Sequence, residues 1–287
     1  MSMISLLKTD MMDGAKNAEQ LIRHLLLPFG GGEFFFCPGE KVVFLADVTL
    51  PADNETGANF DIRLLWALLH LAKEQGIKEL TVCIKPENGF TIEQILKNTI
   101  YGKLAELPGI RIVDLSQATV TPHPTDSRLV LEYADIYDEL NSADVIISLA
   151  KFKTAENRLF GGALANAAYA ADFPQDLSFE LKQRALVDVY SIVSPDLTIV
   201  DCIKGQSGFQ NNISSCVMAG SDAVALDTVL CAMADLDINN EESLVLASQY
   251  GMGISNPADI AMFGDDLREI MAGGSGSDAD NKKNKLN

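Results

Sequence analysis

Val145-Ile-Ile-Ser-Leu149 is a short apolar run that lacks the polar–apolar alternation of a half-buried strand. A strand of this kind gives both faces to a core, the signature of a parallel sheet covered by helices. Val42 to Val48 reads the same way, and Glu79 to Ile84, Arg111 to Leu115, Leu197 to Asp201 and Ile213 to Ala219 read as further strands. Segments with a helical period lie between them. Ala15 to Leu27 places Ala18, Leu21, Ile22 and Leu25 on one face. Phe60 to Gln75 ends at Gly76, suited to the left-handed position after a helix, and Thr91 to Leu104 opens on a hydroxyl cap. Leu177 to Ile192, a helix capped by Ser221 and running through Ala234, and Asn239 to Tyr250 continue the rhythm.

This alternation predicts an α/β fold, a mostly parallel sheet with helices on both faces. One domain over 1–272 is the simplest organisation, and two α/β lobes meeting near 116–143 are the alternative. Ile4 to Lys8 reads as an edge strand, and Leu129 to Tyr133 as another strand. Thr119 to Asp126, which holds two prolines and His123, reads as a loop. Gly273 to Asn287 is mostly Gly, Ser, Asp, Asn and Lys, a composition expected to stay disordered.

The formal charge of −18 argues against nucleic acid or an anionic membrane as a partner, because both need clustered Lys and Arg. No run approaches the roughly 20 apolar residues of a membrane span, and Met1 to Asp10 lacks the basic region and apolar core of a signal peptide. The expected location is the cytoplasm. Five cysteines, an odd number with no Cys-x-x-Cys, do not support a disulfide framework, a zinc finger or a ferredoxin-type cluster. Cys83, Cys202 and Cys216 lie in or beside apolar runs, where a buried thiol is the default. His24, His70 and His123 carry no metal-ligand spacing, so no metal site is expected, and no sequence feature names a cofactor.

Chemistry concentrates at predicted strand ends, where open α/β sheets bind ligands. Lys151 and Lys153 follow the Val145 strand and should point to opposite sides. Lys153, with the Thr154 hydroxyl beside it, is the favoured anion holder or base; both lysines being solvated is the alternative. Gly161-Gly162 before a run of small residues reads as a helix start with free N–H groups, either an anion seat or close packing. Asp201 ends a strand and is a candidate base, or a turn residue. Asp222 suits the first turn of its helix. Asp227 lies among apolar residues and must face solvent or find a partner; Lys153 and Lys204 are the candidates.

These stretches carry a resemblance. Phe29 to Glu33 with Cys37 to Val42, Glu55-Thr-Gly-Ala-Asn-Phe-Asp61, Asp144 to Thr154 with Gly162-Ala-Leu-Ala-Asn166, Leu197 to Asp201, and Ala219 to Asp227 occur in the order seen in one prokaryotic family. That family is known only as domain of unknown function 362, which the chain resembles over nearly its whole length before residue 273. The resemblance adds Asn166 to the candidate ligand-binding residues, beside Lys151, Thr154, Gly161, Gly162 and Asp222. Departures accompany it. Leu45-Ala46-Asp47 stands where relatives carry Lys-Pro-Asn, Ala155 replaces a histidine, and Ala165 a lysine. The cysteines of the ferredoxin-like segment found in many relatives are missing.

The leading expectation is a protein that binds a small anionic metabolite, an enzyme in which Lys153, Asp201 and Asp227 act at strand ends. Two alternatives stand beside it. One is an accessory role with a ferredoxin-like redox partner, which the resemblance implies; the other is a non-catalytic member whose site has degenerated.

Overall fold

Successive residues of one short strand feed two different cores: Val42, Phe44 and Ala46 point into one, Val43 and Leu45 into another. That is what a run with no polar position requires. A computed structural model describes residues 1–9, 15–53, 56–87, 89–155, 158–172, 174, 176–203 and 214–272. The expected disordered segment from Gly273, and Lys204 with the residues after it, lie outside this range.

Along the chain, β1 (Ser2–Lys8) precedes α1 (Ala15–Leu26), whose Ala18, Ile22 and Leu25 are buried. β2 (Val42–Ala46) is followed by α2 (Ile62–Glu74), capped by the Asp61 side chain on the N–H of Arg63. Next come β3 (Leu80–Ile84) and α3 (Ile92–Asn98), which a reciprocal capping box between Thr91 and Gln94 opens. The rest of the expected Thr91–Leu104 helix is a separate 3-10 segment, Ile100–Glu106. β4 (Ile110–Asp114), β5 (Val120–Pro124), β6 (Tyr133–Tyr137), α4 (Asp138–Asn141) and β7 (Val145–Lys151) follow. A hairpin of β8 (Lys153–Ala155) and β9 (Arg158–Gly161) leads to α5 (Ala163–Ala167), β10 (Ala171–Asp172) and α6 (Phe179–Tyr190). The chain closes with β11 (Leu197–Asp201), β12 (Cys216–Gly220), α7 (Ala223–Met233), α8 (Glu242–Gln249), β13 (Ile260–Gly264) and α9 (Leu267–Ala272).

Eight strands form one sheet in the order β13-β1-β12-β11-β7-β2-β3-β4. From β11 to β4 every neighbour is parallel, and β12 runs antiparallel to both β11 and β1. The α/β fold with a mostly parallel sheet is therefore as the sequence predicts. β1 is not an edge strand: β13 pairs with it in parallel and takes the edge. The Thr119–Asp126 segment is not a loop either. It contains β5, an edge of a small sheet ordered β10-β6-β5, where prolines 122 and 124 are tolerated because one side needs no ladder bonds. Residues 129–131 are not a strand, because the N–H groups of Leu129, Val130 and Leu131 all donate to the buried Asp188 carboxylate at 2.8 Å. The strand starts beyond them, at Tyr133.

Helices cover both faces. α1, α2 and α3 pack on one through Leu25, Leu65, Leu68 and Ile95. α5 to α8 pack on the other through Leu164, Val187, Leu226 and Leu244, beside the small sheet. Each of these larger side chains contributes about 1.5–3 kcal/mol on full burial. The winding reverses next to β2. The chain proceeds outward through β3 and β4, then returns to pair β7 on the other flank of β2. Such a reversal leaves a crevice at the carboxyl ends of the two strands. No helix among the described residues is long and apolar enough to cross a membrane.

Candidate functional site

Parallel register sets Lys151 opposite Asp201 at the ends of β7 and β11. Lys151 Nζ donates to Asp201 Oδ2 at 2.9 Å and to the carbonyl of Ile203. The two side chains are 1% and 0% exposed, so this pair faces no solvent. Asp201 also accepts the N–H groups of Asp61 at 2.8 Å and Ile203 at 2.7 Å. Burial pushes the Asp201 carboxyl above its ordinary pKa, and the Lys151 charge opposes that rise. The structure thus brings two predicted site residues together as an inner brace that ties β7 and β11 to the start of α2.

Lys153 points the other way, as alternation along an extended segment requires. Its Nζ lies 2.8 and 3.0 Å from the two oxygens of Asp47, the first residue beyond β2. Asp47 is buried, and its Oδ2 also accepts the Lys151 N–H at 3.3 Å. The winding reversal is therefore bridged by an ion pair. Asp47 stands at the Asn position of the Lys-Pro-Asn pattern, and that substitution was the only signal of its role. Beyond it, Asn59 organises the loop by accepting from Thr49 and Leu50 and donating to the carbonyls of Leu50 and Ala52.

The glycine pair also has an internal partner. Gly161 ends β9 and Gly162 caps α5, whose first two N–H groups, from Ala163 and Leu164, donate to Asp227 Oδ1 and Oδ2 at 2.7 and 3.0 Å. A Cβ on Gly162 would fall 2.5 Å from Asp227 Oδ1, so the close approach requires glycine. Burial raises the Asp227 pKa to about 7, and the two N–H donors oppose the shift. Asp227 is therefore partnered by backbone amides and not by Lys153; Lys204, the other candidate, is outside the described residues. Thr154 is buried in the hairpin opposite Leu159. Asn166 donates to Leu45 O at 3.1 Å and Ser148 Oγ at 2.8 Å, locking α5 onto the sheet.

Asp222 belongs elsewhere. It, and not Ser221, caps α7, and it accepts from Ala225 and Ile254 at 2.9 Å and from the Ser2 hydroxyl. Because β12 runs antiparallel, Asp222 lies at the opposite edge of the sheet from Lys151.

A residue missed in the sequence completes the carboxyl edge. Lys85 directly follows β3, and its Nζ donates to Ala171 O at 3.1 Å and Asp172 Oδ1 at 3.3 Å while lying 5.0 Å from the Tyr137 ring centre. Burial lowers its pKa, and Asp172 opposes this. Next to it the Tyr169 hydroxyl donates to Glu87. Burial, with the charges of Asp47 and Glu87, holds the Tyr169 phenol well above its usual pKa. Lys85, Glu87, Tyr137, Tyr169 and Asp172 line a crevice of about 600 Å³ whose apolar wall includes Leu115, Phe179 and Leu186. The strand-end rule that marked Lys151 applied equally to Ile84-Lys85-Pro86, but no glycine turn or family motif drew attention there.

A larger hollow of about 860 Å³ lies at the amino ends of β2, β3 and β4, beside Lys78, Thr81 and Arg111. Arg111 is held there by Glu139 at 2.8 and 2.5 Å and by Thr81 at 3.1 Å. Ligands of open α/β sheets bind outside the carboxyl ends, which favours the smaller crevice. Among the described residues no group of three or more His, Cys, Asp or Glu side chains is arranged to hold a metal ion.

Comparison with known proteins agrees with the resemblance in the sequence. The family model for a Domain of unknown function (DUF362) matches residues 43–232, from β2 almost to the end of α7. The chain belongs to that family. No curated protein matches it significantly.

Proposed function

We propose that this member of the DUF362 family binds a small organic anion in the crevice at the carboxyl ends of β3 and β4, with Lys85 as the anchor. The environment of Lys85 Nζ carries this reading. An ammonium has three donors; Ala171 O and Asp172 take two here, which leaves one for a ligand oxygen. Burial disfavours its charge, so an anion that compensates that charge gains from the low-dielectric wall. Leu115, Phe179 and Leu186 suit an apolar or aromatic body, and Lys182 adds a second cation to the lining.

Lys153 is the less favoured anchor because its charge is paired at 2.8 and 3.0 Å with a buried carboxylate, Asp47, whereas the Asp172 carboxylate beside Lys85 is 60% exposed. Titration calorimetry with benzoate and phenyl phosphate tests the anchor. Lys85→Met should lose at least about tenfold in affinity, or about 1.4 kcal/mol. Equal affinity in the variant would overturn the assignment.

One observation supports a second reading, a non-catalytic member with a sealed site. Both positions expected to receive an anion, Lys153 and the start of α5, are filled by the chain's own carboxylates, Asp47 and Asp227. Failure of both probes to bind the wild-type protein would favour it.

A further inference from the structure

We propose that Cys202 and Cys216 form a reversible disulfide that pins the ends of β11 and β12 together, making the protein responsive to oxidant. The antiparallel pairing of Asp201 with Val217 sets these two cysteines directly opposite each other one step further on. Cys202 donates its backbone N–H to Cys216 O at 3.1 Å, which fixes the two residues as a facing pair at the ladder end. Both are free, and they are 1% and 0% exposed. Facing positions on antiparallel strands keep Cα atoms about 4.5–5.5 Å apart, inside the range a disulfide spans without moving the backbone.

The remaining cysteines lack such a neighbour. Cys83 is buried in the core beside the small sheet, Cys231 lies on α7, and Cys37 is exposed before β2. The pair also adjoins the inner brace. Cys202 sits between Asp201 and Ile203, the two residues that receive Lys151 Nζ. A bond there would tether the strand end that carries both acceptors of Lys151.

The oxidant is hydrogen peroxide. One thiol attacks a peroxide oxygen, the O–O bond breaks, and a sulfenic acid and one water form. The second thiol then attacks the sulfenic sulfur, the S–O bond breaks, and a disulfide and a second water result. In sum the two thiols lose two electrons and two protons, and the peroxide is reduced to two waters. Burial pushes the Cys202 thiol far above its ordinary pKa, so it stays protonated at rest. Oxidation then waits on local opening of the ladder end, and the pair responds to sustained rather than brief exposure.

The test treats the full chain with hydrogen peroxide and alkylates the remaining thiols under denaturing conditions. Peptide mass spectrometry then locates any cross-link. The expected product lacks two hydrogen atoms, carries a Cys202–Cys216 link, and melts higher by on the order of 5 °C, reversibly with dithiothreitol. Cys202→Ser and Cys216→Ser should each abolish the link and the shift. Full alkylation of both cysteines after oxidation, a link to another cysteine, or oxidation of either thiol to a sulfinic acid would overturn the proposal.

Discussion

Lys153 Nζ lies 2.8 and 3.0 Å from the two carboxylate oxygens of Asp47, joining the ends of adjacent parallel strands where the sheet reverses its winding. In an open α/β sheet that point is the natural entrance for a ligand. Here an internal salt bridge occupies it. The charges nearest the reversal cancel, and the anchor proposed for an anion, Lys85, lies one strand outward.

Breaking this bridge from one side should cost more than removing it whole. Lys153→Met strands a buried Asp47 carboxylate and should lower stability by about 3 kcal/mol, whereas Asp47→Leu with Lys153→Met should recover part of that loss. Urea unfolding midpoints at constant slope measure both. A double variant less stable than the single would contradict the reading of Asp47 as an internal counter-ion.

Lys151→Met should be the most damaging single change at this edge. It leaves Asp201 buried without its cation, at a cost of about 3–5 kcal/mol near neutral pH. The sign of its pH dependence follows from the raised pKa of Asp201. Losing Lys151 raises that pKa further, and a raised acid contributes stability at low pH that disappears as pH rises through its folded value. The variant's deficit should therefore shrink on acidification. Chemical denaturation at pH 5 and pH 8 reads this directly, and a deficit that grew at pH 5 would exclude it.

Asp227 makes a related prediction with a defined window. Its folded pKa is about 7 and its ordinary value 3.8. The stability it contributes is fully present below 3.8 and is lost as pH rises to about 7. Asp227→Asn cannot titrate, so the gap between wild type and variant should widen as pH falls from 7 to 4. A gap independent of pH would show that the carboxyl titrates at its ordinary value.

Asp188 accepts three successive backbone N–H groups and the Ser127 hydroxyl with one buried carboxylate. Asp188→Ala should release Leu129, Val130 and Leu131 to fast amide exchange and cost about 2–4 kcal/mol, since removing the acceptor leaves several donors unpaired. Hydrogen-exchange NMR on those three amides is the check; unchanged protection there would mean that the segment holds its shape by other contacts.

Strands buried on both faces were legible because nothing polar interrupts them: β2, β3, β7 and β11 fall where the apolar runs are. What depends on partners was not. β5 hides behind Pro122 and Pro124, and β13 is a brief, largely exposed run that becomes a strand only beside β1. The direction of β12 leaves no trace in its composition, yet it decides that Asp222 lies at the far edge. At the site, the strand-end rule located Lys151, Lys153 and Asp201. Their destinations were set by carboxylates distant in sequence and by burial, and so were invisible. Lys151 and Asp201 were candidates for two separate roles and instead satisfy each other.

The most direct test of the account is a crystal structure of the wild-type protein grown with phenyl phosphate. Density for the phosphate is expected within hydrogen-bond distance of Lys85 Nζ, with its ring against Leu115 and Phe179 and the Lys153–Asp47 bridge intact. Density on Lys153 with Asp47 displaced would contradict it.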